Sequence, residues 1–274
     1  MQKIRDMGFE RKVVVVTGAS SGIGEAICRQ LLQQSARVVM AARNISKMQQ
    51  IAADFEEAEV LIIEADVSKK SDCEKIIHET VGSFGGIDVL INNAGISMRA
   101  IFENLDLNVI EQLMAVNYWG TVYCTHYALP YLLKSKGSVV GVSSIAGFQG
   151  LPARTGYSSS KFAMHGFLNT LRVETMKQDL HVMIACPGFT ASNIRNTALT
   201  ADGKQQGDTP LEEGKLMTAE EVARRILSGI ARRKRTLIMT MQGKMTVFLG
   251  KLFPAWVDKM VYNHMKKEKN SPLK

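Results

Sequence analysis

Tyr157 and Lys161 are the two residues whose types and spacing are best suited to proton chemistry. They stand four positions apart in the stretch YSSSK, and residues at that spacing share one face of an α-helix, with Cβ atoms about 5–6 Å apart. A free tyrosine ionises near pH 10, and a neighbouring ammonium lowers that pKa because it stabilises the phenolate. The pair is therefore predicted to give and take a proton, whereas the serines between are interpreted as helix surface.

A glycine-rich turn directly follows the first apolar segment of the chain. It reads TGASSGIG from Thr17 to Gly24, and a segment of helical composition comes next. Glycines let the backbone approach a phosphate, and the N-terminus of the following helix offers unpaired N–H groups and a positive dipole end. The turn is predicted to bind the phosphates of a dinucleotide. The residues assigned to this site are Gly18, Ser20, Ser21, Gly22, Ile23 and Gly24.

The end of the second apolar segment is expected to decide which dinucleotide is bound. An acidic side chain at this point accepts hydrogen bonds from the ribose hydroxyls of NAD. The sequence has no acid there and places Arg43 after Ala42 instead. The planar guanidinium of an arginine suits the 2′-phosphate of NADP. NADP(H) is therefore the predicted cofactor, with NAD as the alternative.

Short β-branched runs alternate with segments of helical composition over most of the chain. Near-continuous apolar strands separated by helices are typical of a parallel sheet covered on both faces. The sequence predicts one doubly wound α/β domain of Rossmann type, with a seven-stranded parallel sheet and helices on both faces. The predicted strands are 12–17, 37–42, 60–65, 87–92, 137–144, 181–186 and 235–240, and the predicted helices lie near 22–34, 46–57, 69–83, 105–134, 157–179 and 218–232.

A polar, turn-rich segment from Thr190 to about Leu216 is too long for an ordinary connection and is interpreted as a lid. We expect residues 1–244, including this lid, to form the domain. Residues 245–274 are predicted to be a basic amphipathic C-terminal extension.

Further motifs follow the predicted strands, where ligands of open α/β sheets bind. They are Asp66 in ADVS, Asn92-Asn93-Ala94-Gly95, Ser143-Ser144 and Pro187-Gly188. Together with TGASSGIG and YSSSK, this ordered set resembles the short-chain dehydrogenase/reductase family over roughly residues 10–240. The resemblance implies an oxidoreductase that interconverts a carbonyl and an alcohol with a nicotinamide cofactor.

The resemblance also implies roles in catalysis. Tyr157 corresponds to the catalytic acid/base and Lys161 to its partner, which also binds the nicotinamide ribose. Ser144 lies thirteen residues before Tyr157, the spacing of the family's substrate-orienting serine, and Ser143 is off by one. Asn117 matches the asparagine that maintains a proton relay.

Other positions match the cofactor-binding residues of the family. The resemblance assigns the adenine position to Asp66 with Val67, the adenosine side to Asn93, Ala94 and Gly95, and the nicotinamide cradle to Pro187 and Gly188. The family often has a threonine after the Pro-Gly that holds the carboxamide, and either Thr190 or Ser192 stands in its place.

The net charge of +8 is concentrated near the C-terminus. Residues 222–274 contain thirteen Lys or Arg and only two acids, Asp258 and Glu268, which argues against a nucleic-acid surface on the domain itself. Apolar and aromatic residues alternate with lysines in the extension. One expectation is that it packs on its own domain or a second subunit. The other is that it lies on an anionic membrane surface, with Leu252, Phe253 and Trp256 at the interface.

Several other classes of protein are disfavoured. The five histidines show no metal-ligand spacing and are expected to be surface or partly packed residues, so no metal site is predicted. The run GVSSI at residues 141–145 fails the GxSxG pattern of serine hydrolases. The four cysteines have no CxxC spacing and are interpreted as reduced core thiols.

The expected location is the cytoplasm, with peripheral contact at a membrane surface as the alternative. The N-terminal residues lack the apolar run of a secretory signal, and no uncharged apolar stretch of 18 residues occurs.

The walls of the substrate pocket are expected in residues 145–155 and in the lid. Phe148, Leu151, Phe189, Leu199 and several methionines in or beside these segments favour an apolar carbonyl compound or alcohol, such as a steroid, a lipid-like ketone or an aromatic aldehyde. The family resemblance implies a homodimer or homotetramer. The alternatives are a regulator that binds the dinucleotide without turnover and a membrane-surface reductase of a lipid.

Overall fold

Seven strands form one fully parallel sheet in the computed structural model. The structure describes residues 7–188, 190, 194–207, 216–268 and 270–273. The strands are β1 (Val13–Thr17), β2 (Arg37–Ala42), β3 (Val60–Glu64), β4 (Val89–Asn92), β5 (Ser138–Val142), β6 (His181–Cys186) and β7 (Thr236–Ile238). Their order is β3-β2-β1-β4-β5-β6-β7, so the winding reverses between β1 and β4. The predicted doubly wound sheet is confirmed.

Helices cover both faces of this sheet. They are α1 (Gly22–Leu32), α2 (Ile45–Ala53), α3 (Lys70–Phe84), α4 (Leu107–Leu113), α5 (Gly120–Lys134), α6 (Thr155–Glu174), α7 (Ala219–Ala231), α8 (Met241–Leu252) and α9 (Pro254–Lys266). Successive side chains of a strand point to opposite faces. Val14 and Val16 therefore pack with α1, α2 and α7, whereas Val15 packs with α3, α5 and α6. All three valines are buried, which explains the continuous apolar run.

The predicted helix 105–134 is not one regular helix. A π-helical turn, Met114–Trp119, joins α4 to α5. Such turns are rare in proteins, and those that occur often lie at functional sites. This one contains Asn117, which is buried.

The C-terminal extension forms the two helices α8 and α9. The expected boundary after residue 244 falls within α8, and the division of the chain there stays a prediction. Val257, Val261 and Met265 of α9 pack against Leu249 of α8 and Leu151. Among the described helices, none is long and apolar enough to cross a bilayer.

Part of the expected lid lies against the loop that follows β4. The Arg99 N–H donates to the Leu199 carbonyl at 2.8 Å, and the Leu199 N–H donates to the Ser97 carbonyl at 2.9 Å. The Leu199 side chain is buried with Met98 and Val109. Residues 191–193 and 208–215 of this segment lie outside the described residues.

Candidate active site

The carboxyl ends of the strands open onto one cleft of about 1180 Å³. It lies where the winding of the sheet reverses, which is the usual ligand position in open α/β sheets. Nearly all of the residues selected from the sequence line it: Gly18, Ser20, Ser21, Gly22, Ile23, Arg43, Asp66, Val67, Asn93, Ala94, Gly95, Ser144, Tyr157, Lys161, Pro187 and Gly188. The structure thus brings together residues that are far apart in the sequence.

The glycine turn is joined closely to the loop after β4. The Thr17 hydroxyl accepts from the N–H groups of Asn93 and Ala94, both at 3.0 Å. The Asn93 side-chain amide donates to the Thr17 carbonyl at 2.9 Å and to the Gly18 carbonyl at 3.2 Å. Gly18 has a φ of +65°, and a Cβ there would lie 2.8 Å from the Ala94 Cα. Only glycine fits this position, because a side chain would meet backbone.

The start of α1 lies at the cleft. Ser21 occupies the N-cap position, and Ser20, Gly22 and Ile23 line the opening beside it. Gly24 does not line the cleft and instead lies beneath the turn, facing the Gly18 carbonyl. An anionic ligand placed here would meet the positive end of the helix dipole.

Arg43 and Asp66 mark the other end of this part of the cleft. Arg43 follows β2 and is exposed on the cleft surface, whereas its neighbour Asn44 caps α2 by accepting from the Lys47 N–H. The Asp66 carboxylate accepts from the N–H and the hydroxyl of Ser68 at 3.0 and 2.8 Å. These bonds hold the loop after β3 in place.

Tyr157 and Lys161 both lie on the first two turns of α6 and face the cleft. Lys161 is 3 % exposed, and its ammonium donates to the Val142 carbonyl at 2.9 Å and lies 5.8 Å from the centre of the Tyr157 ring. The Ser144 hydroxyl accepts from the Ala146 N–H at 3.2 Å and lies close enough to the Tyr157 phenol to affect its pKa. The end of β5 and the start of α6 therefore meet at these three side chains.

Asn117 supports this group from the π-helical turn. Its side-chain oxygen accepts from the Ile96 N–H at 2.9 Å, and its amide donates to the Ile96 carbonyl at 3.0 Å and the Ser160 hydroxyl at 2.9 Å. A Cβ on Gly95 would lie 3.2 Å from the Asn117 oxygen and 3.6 Å from the Lys161 nitrogen. Asn117 and Lys161 thus flank the loop after β4.

Burial dominates the protonation of both ionisable groups. It raises the pKa of the Tyr157 phenol, which the Ser144 hydroxyl and, more weakly, the Arg154 guanidinium lower again. It also lowers the pKa of the Lys161 ammonium to about 8. Desolvation of the phenolate has the largest effect on the pKa of Tyr157 in this structure, and the lowering expected from the Lys161 ammonium together with a positively charged nicotinamide stays a prediction.

The end of β6 closes the cleft on the side of α8. Pro187 and Gly188 follow the strand, and the Thr190 hydroxyl donates to the Gly188 carbonyl at 3.0 Å. Thr190 lines the cleft, whereas Ser192, the other candidate for the same role, lies outside the described residues.

The expectation for the histidines is wrong for His165 and His181, which are buried. The His165 ring lies beneath the site and shares a hydrogen bond of 2.7 Å with Ser143. Burial lowers its pKa to about 4, with a smaller contribution from Lys161. All four cysteines are buried and free, as predicted. Within the part of the chain that the structure describes, no group of His, Cys, Asp and Glu could hold a metal ion.

The profile of the short chain dehydrogenase family matches residues 12–202. The chain belongs to the short-chain dehydrogenase/reductase family. It is therefore an oxidoreductase that acts on a CH–OH group or its carbonyl counterpart. The matched residues include the strands, turns and helices that carry the predicted catalytic and cofactor-binding residues.

Relatives in other organisms agree with this family. The chain is 32% identical over 262 residues to the dehydrogenase/reductase SDR family protein 7-like of Dictyostelium discoideum, covering 92% of this chain and 81% of that protein. It is 34% identical over 263 residues to 11-beta-hydroxysteroid dehydrogenase A of Sesamum indicum, covering 92% and 75%.

Solved structures of this family share the fold. A short chain dehydrogenase/reductase of Burkholderia phymatum in complex with NAD matches with a TM-score of 0.80 at 22% identity, covering 90% of this chain and 95% of that one. An alcohol dehydrogenase of Thermococcus sibiricus complexed with 5-hydroxy-NADP matches with a TM-score of 0.70 at 25% identity, covering 82% and 93%.

The far end of the cleft in this dehydrogenase has walls that the motifs did not reveal. Leu151 and Leu199 line it as expected, but Phe148 instead packs edge-on against His165, with ring centres 4.5 Å apart. Phe189 lies outside the described residues. Met265 and Glu268, from the end of α9 and just beyond it, also line the cleft. No spacing in the sequence links these two residues to Tyr157, so sequence reasoning missed them.

Proposed function

We propose that the protein is an NADP(H)-dependent oxidoreductase that interconverts a carbonyl and an alcohol on an apolar small molecule, with Tyr157 as the acid/base. The observation that carries this proposal is the meeting of Ser144, Tyr157 and Lys161 at one point of the cleft. A steroid, a lipid-like ketone or an aromatic aldehyde is the expected substrate. The steroid dehydrogenase names of several relatives support that class.

The residues present fit a nicotinamide dinucleotide. Gly18 leaves room for close approach because a Cβ there would fill the cradle between the turn and Ala94. Ser20, Ser21 and the N-terminus of α1 would hold the phosphates, and Asp66 with Val67 would flank the adenine. Pro187 and Gly188 would flank the nicotinamide.

The exposed guanidinium of Arg43 supports NADP over NAD. It lines the cleft at the end of β2, where a 2′-phosphate would accept its hydrogen bonds, and no carboxylate replaces it in the sequence. NAD remains the alternative cofactor.

The side chains divide the chemistry between them. When bound, NADPH supplies a hydride to the carbonyl carbon. Tyr157 donates its phenolic proton to the carbonyl oxygen, and the Ser144 hydroxyl donates a hydrogen bond to that same oxygen and fixes its position. Lys161 stabilises the phenolate that is left, because its ammonium is buried and held by the Val142 carbonyl. Asn117 keeps the main chain at Ile96 in place beside Lys161 and would maintain the proton relay.

The Tyr157→Phe substitution tests the mechanism. It removes the proton donor and keeps the ring, so we expect NADPH-dependent reduction of ketones and aldehydes, followed at 340 nm, to fall at least about 100-fold. NADPH binding, measured by its fluorescence, should stay close to that of the wild type. Full activity of this variant would overturn the assignment. NADPH binding without turnover of any substrate by the wild type would favour the alternative, a non-catalytic dinucleotide-binding regulator.

The Arg43→Ala substitution tests the cofactor. We expect kcat/KM for NADPH to fall about tenfold or more, since charged hydrogen bonds contribute about 1.5–3 kcal/mol, while kcat/KM for NADH changes little. Lys47→Ala, on α2 near Arg43, is the matched control for loss of a surface charge. An equal loss with both cofactors would contradict the preference for NADP.

A second proposal is that the enzyme works at a membrane surface. It is supported by the exposed side chains of Phe248, Leu252, Phe253 and Trp256 in α8, α9 and their connection, among which lysines are interspersed.

A homodimer or homotetramer is proposed from the family, and the cytoplasm stays the predicted compartment.

A further inference from the structure

A buried carboxylate lies at the substrate end of the cleft. It belongs to Glu268, in the segment that follows α9, and its side chain is only 5 % exposed. Glu268 lines the same cleft as Tyr157, Arg154 and Met265. Acids are seldom buried unless they are paired, so its partners define what it does.

Two buried guanidinium groups hold this carboxylate. Arg99 Nε and Arg154 Nη2 each lie 3.3 Å from the same oxygen, Glu268 Oε2, and their side chains are 8 % and 13 % exposed. Burial lowers the pKa of Arg154, Glu268 raises it and Arg99 lowers it. The three side chains therefore interact as one buried charge cluster of two cations and one anion.

Arg154 connects this cluster to the catalytic helix. It is the residue before α6, three positions ahead of Tyr157, and it contributes to the pKa of that phenol. Its guanidinium also donates to the Ala153 carbonyl at 3.2 Å, and the same carbonyl accepts from the Ala100 N–H at 3.1 Å. The guanidinium is thereby fixed beside the place where a substrate must bind.

Two arginines converging on one point are well suited to a carboxylate, because a guanidinium presents its donors in a planar fork. In this protein the chain's own carboxylate fills that point. A second carboxylate on a bound molecule would compete with Glu268 for Arg154, whose Nη2 donates to Glu268 Oε2 at 3.3 Å, and would be repelled by the Glu268 charge. Such built-in repulsion is an established way to reject a competing ligand.

We propose that Glu268 is a specificity-determining residue: by occupying Arg99 and Arg154, it restricts the substrate pocket to neutral carbonyl compounds and rejects those that carry a carboxylate. Its prediction about which substrates are turned over rests on the proposed reductase activity. Its prediction about which molecules bind does not depend on that activity.

Binding of two matched probes tests the inference. Dissociation constants for 2-naphthoate and 2-naphthamide would be measured by NMR titration of the full-length protein. Glu268→Gln keeps the shape and removes the negative charge, so we expect it to raise naphthoate affinity at least about tenfold relative to naphthamide. Arg154→Gln removes a positive charge and leaves Glu268 paired with Arg99, so we expect it to shift the ratio in the opposite direction.

Asp258→Asn is the matched control. Asp258 is also an acid of the C-terminal region, on α9, but its partner is the Gln149 amide at 2.8 Å. Its removal should leave the naphthoate-to-naphthamide ratio unchanged. If Glu268→Gln and Arg154→Gln also leave the ratio unchanged, or if both shift it in the same direction, the inference is wrong. Removing one partner of a buried ion pair is destabilising, so thermal melting is recorded for every variant. If Glu268→Gln does not fold, the Arg154→Gln variant tests the inference alone: a lower affinity for naphthoate relative to naphthamide supports it, and an unchanged or higher relative affinity refutes it.

Turnover of 4-carboxybenzaldehyde and methyl 4-formylbenzoate separates this inference from the proposed function. We expect the wild type to prefer the ester and Glu268→Gln to narrow that preference at least about tenfold. A shift in binding without reduction of either aldehyde would support the role of Glu268 and count against the proposed activity. Turnover of both, with the same ratio of kcat/KM in the two proteins, would refute the role of Glu268.

Discussion

Lys161 illustrates how the site depends on a side chain that is costly to bury. Its ammonium is almost fully enclosed, and burial lowers its pKa to about 8 from 10.5 in an exposed lysine. The folded protein thus holds this charge at neutral pH against the desolvation penalty. In the proposed mechanism this charge serves the chemistry of Tyr157, so we expect substitutions at Lys161 that raise stability to lower activity.

The Lys161→Met substitution should therefore stabilise the protein and inactivate it. At pH 7 we expect its free energy of unfolding to exceed that of the wild type by about 2 kcal/mol, since a pKa shift of one unit corresponds to about 1.4 kcal/mol and the lost bond to Val142 offsets part of the gain. Because the folded pKa lies below that of the unfolded chain, the wild type gains stability as the pH rises from 8 to 10.5. Urea unfolding at pH 7 and pH 10 should show that the difference in free energy of unfolding between the two proteins is smaller at pH 10. If Lys161→Met had a lower free energy of unfolding than the wild type at pH 7, by the same margin as at pH 10, this prediction would be wrong.

Residues of the site were predictable where short spacing determines geometry. Tyr157 and Lys161 share a helix face because they are four positions apart, and Ser144 follows a strand that ends beside them. Glu268 could not be found in this way. It contacts Arg99 and Arg154 only through tertiary packing of α9, and a single acid in a basic tail looks like a solvated charge.

At the level of elements, α6 is the part of the fold on which most of the site depends. It carries Tyr157 and Lys161 toward the cleft, and one turn later it carries His165 beneath β5. The His165 ring contacts Ser143 and Phe148 and leaves no room for a Cβ on Gly147. Because this buried histidine is neutral in the folded protein, the packing of α6 beneath β5 should become less stable in acid.

The pH dependence of stability should reveal His165. Its folded pKa of about 4 lies below the value of 6.5 in the unfolded chain, so unfolding takes up a proton in between and stability falls as the pH drops from 6.5 to 4. His165→Gln should reduce this loss by up to about 3 kcal/mol, at about 1.4 kcal/mol per pH unit. Chemical unfolding at pH 7, 5.5 and 4.5 measures how steeply the free energy of unfolding falls with pH. His78→Gln, at an exposed position of α3, is the matched control. Equal slopes for His165→Gln and the wild type would contradict the expectation.

Strands were easier to predict than the interruption of a helix. Each predicted strand matches an observed one within about three residues, because buried parallel strands leave uninterrupted β-branched runs in the sequence. The π-helical turn at 114–119 leaves no such trace, since no residue type in MAVNYW distinguishes a π-turn from a turn of α-helix. The separation of α8 from α9 follows from Pro254, which begins the second helix at its first position.

For the whole molecule, the described helices α8 and α9 present the largest group of exposed apolar side chains. Met241, Met245, Phe248 and Leu252 follow one another at helical spacing along α8, and Phe253 and Trp256 continue this surface. These six residues define the apolar face. Packing of the extension on its own domain leaves this face exposed, so the two remaining expectations for it are a second subunit and an anionic membrane surface. Lysines flank the face, which lies within the basic region 222–274, whereas residues 1–221 carry a slightly negative net charge.

The apolar face should hold the protein on anionic vesicles. In a flotation assay we expect the wild type to rise with vesicles containing phosphatidylserine and to rise far less with pure phosphatidylcholine, because buried apolar area and lysine–lipid attraction act together. The double substitution Leu252→Ser with Trp256→Ser should reduce flotation at least about tenfold. Its reductase activity on a water-soluble substrate should stay close to that of the wild type. Val173→Ser with Met176→Ser, exposed apolar positions at the end of α6 and just after it, is the matched control.

Sedimentation distinguishes the membrane from a second subunit as the partner of this face. A membrane-binding face predicts that the Leu252/Trp256 variant keeps the oligomeric state of the wild type and loses flotation. If the face were a subunit interface, the same variant would sediment as a smaller species, and wild-type flotation would not depend on anionic lipid. Lipid dependence is thus the more discriminating of the two measurements, because apolar contact between subunits is indifferent to headgroup charge, whereas the flanking lysines gain energy only next to an anionic surface.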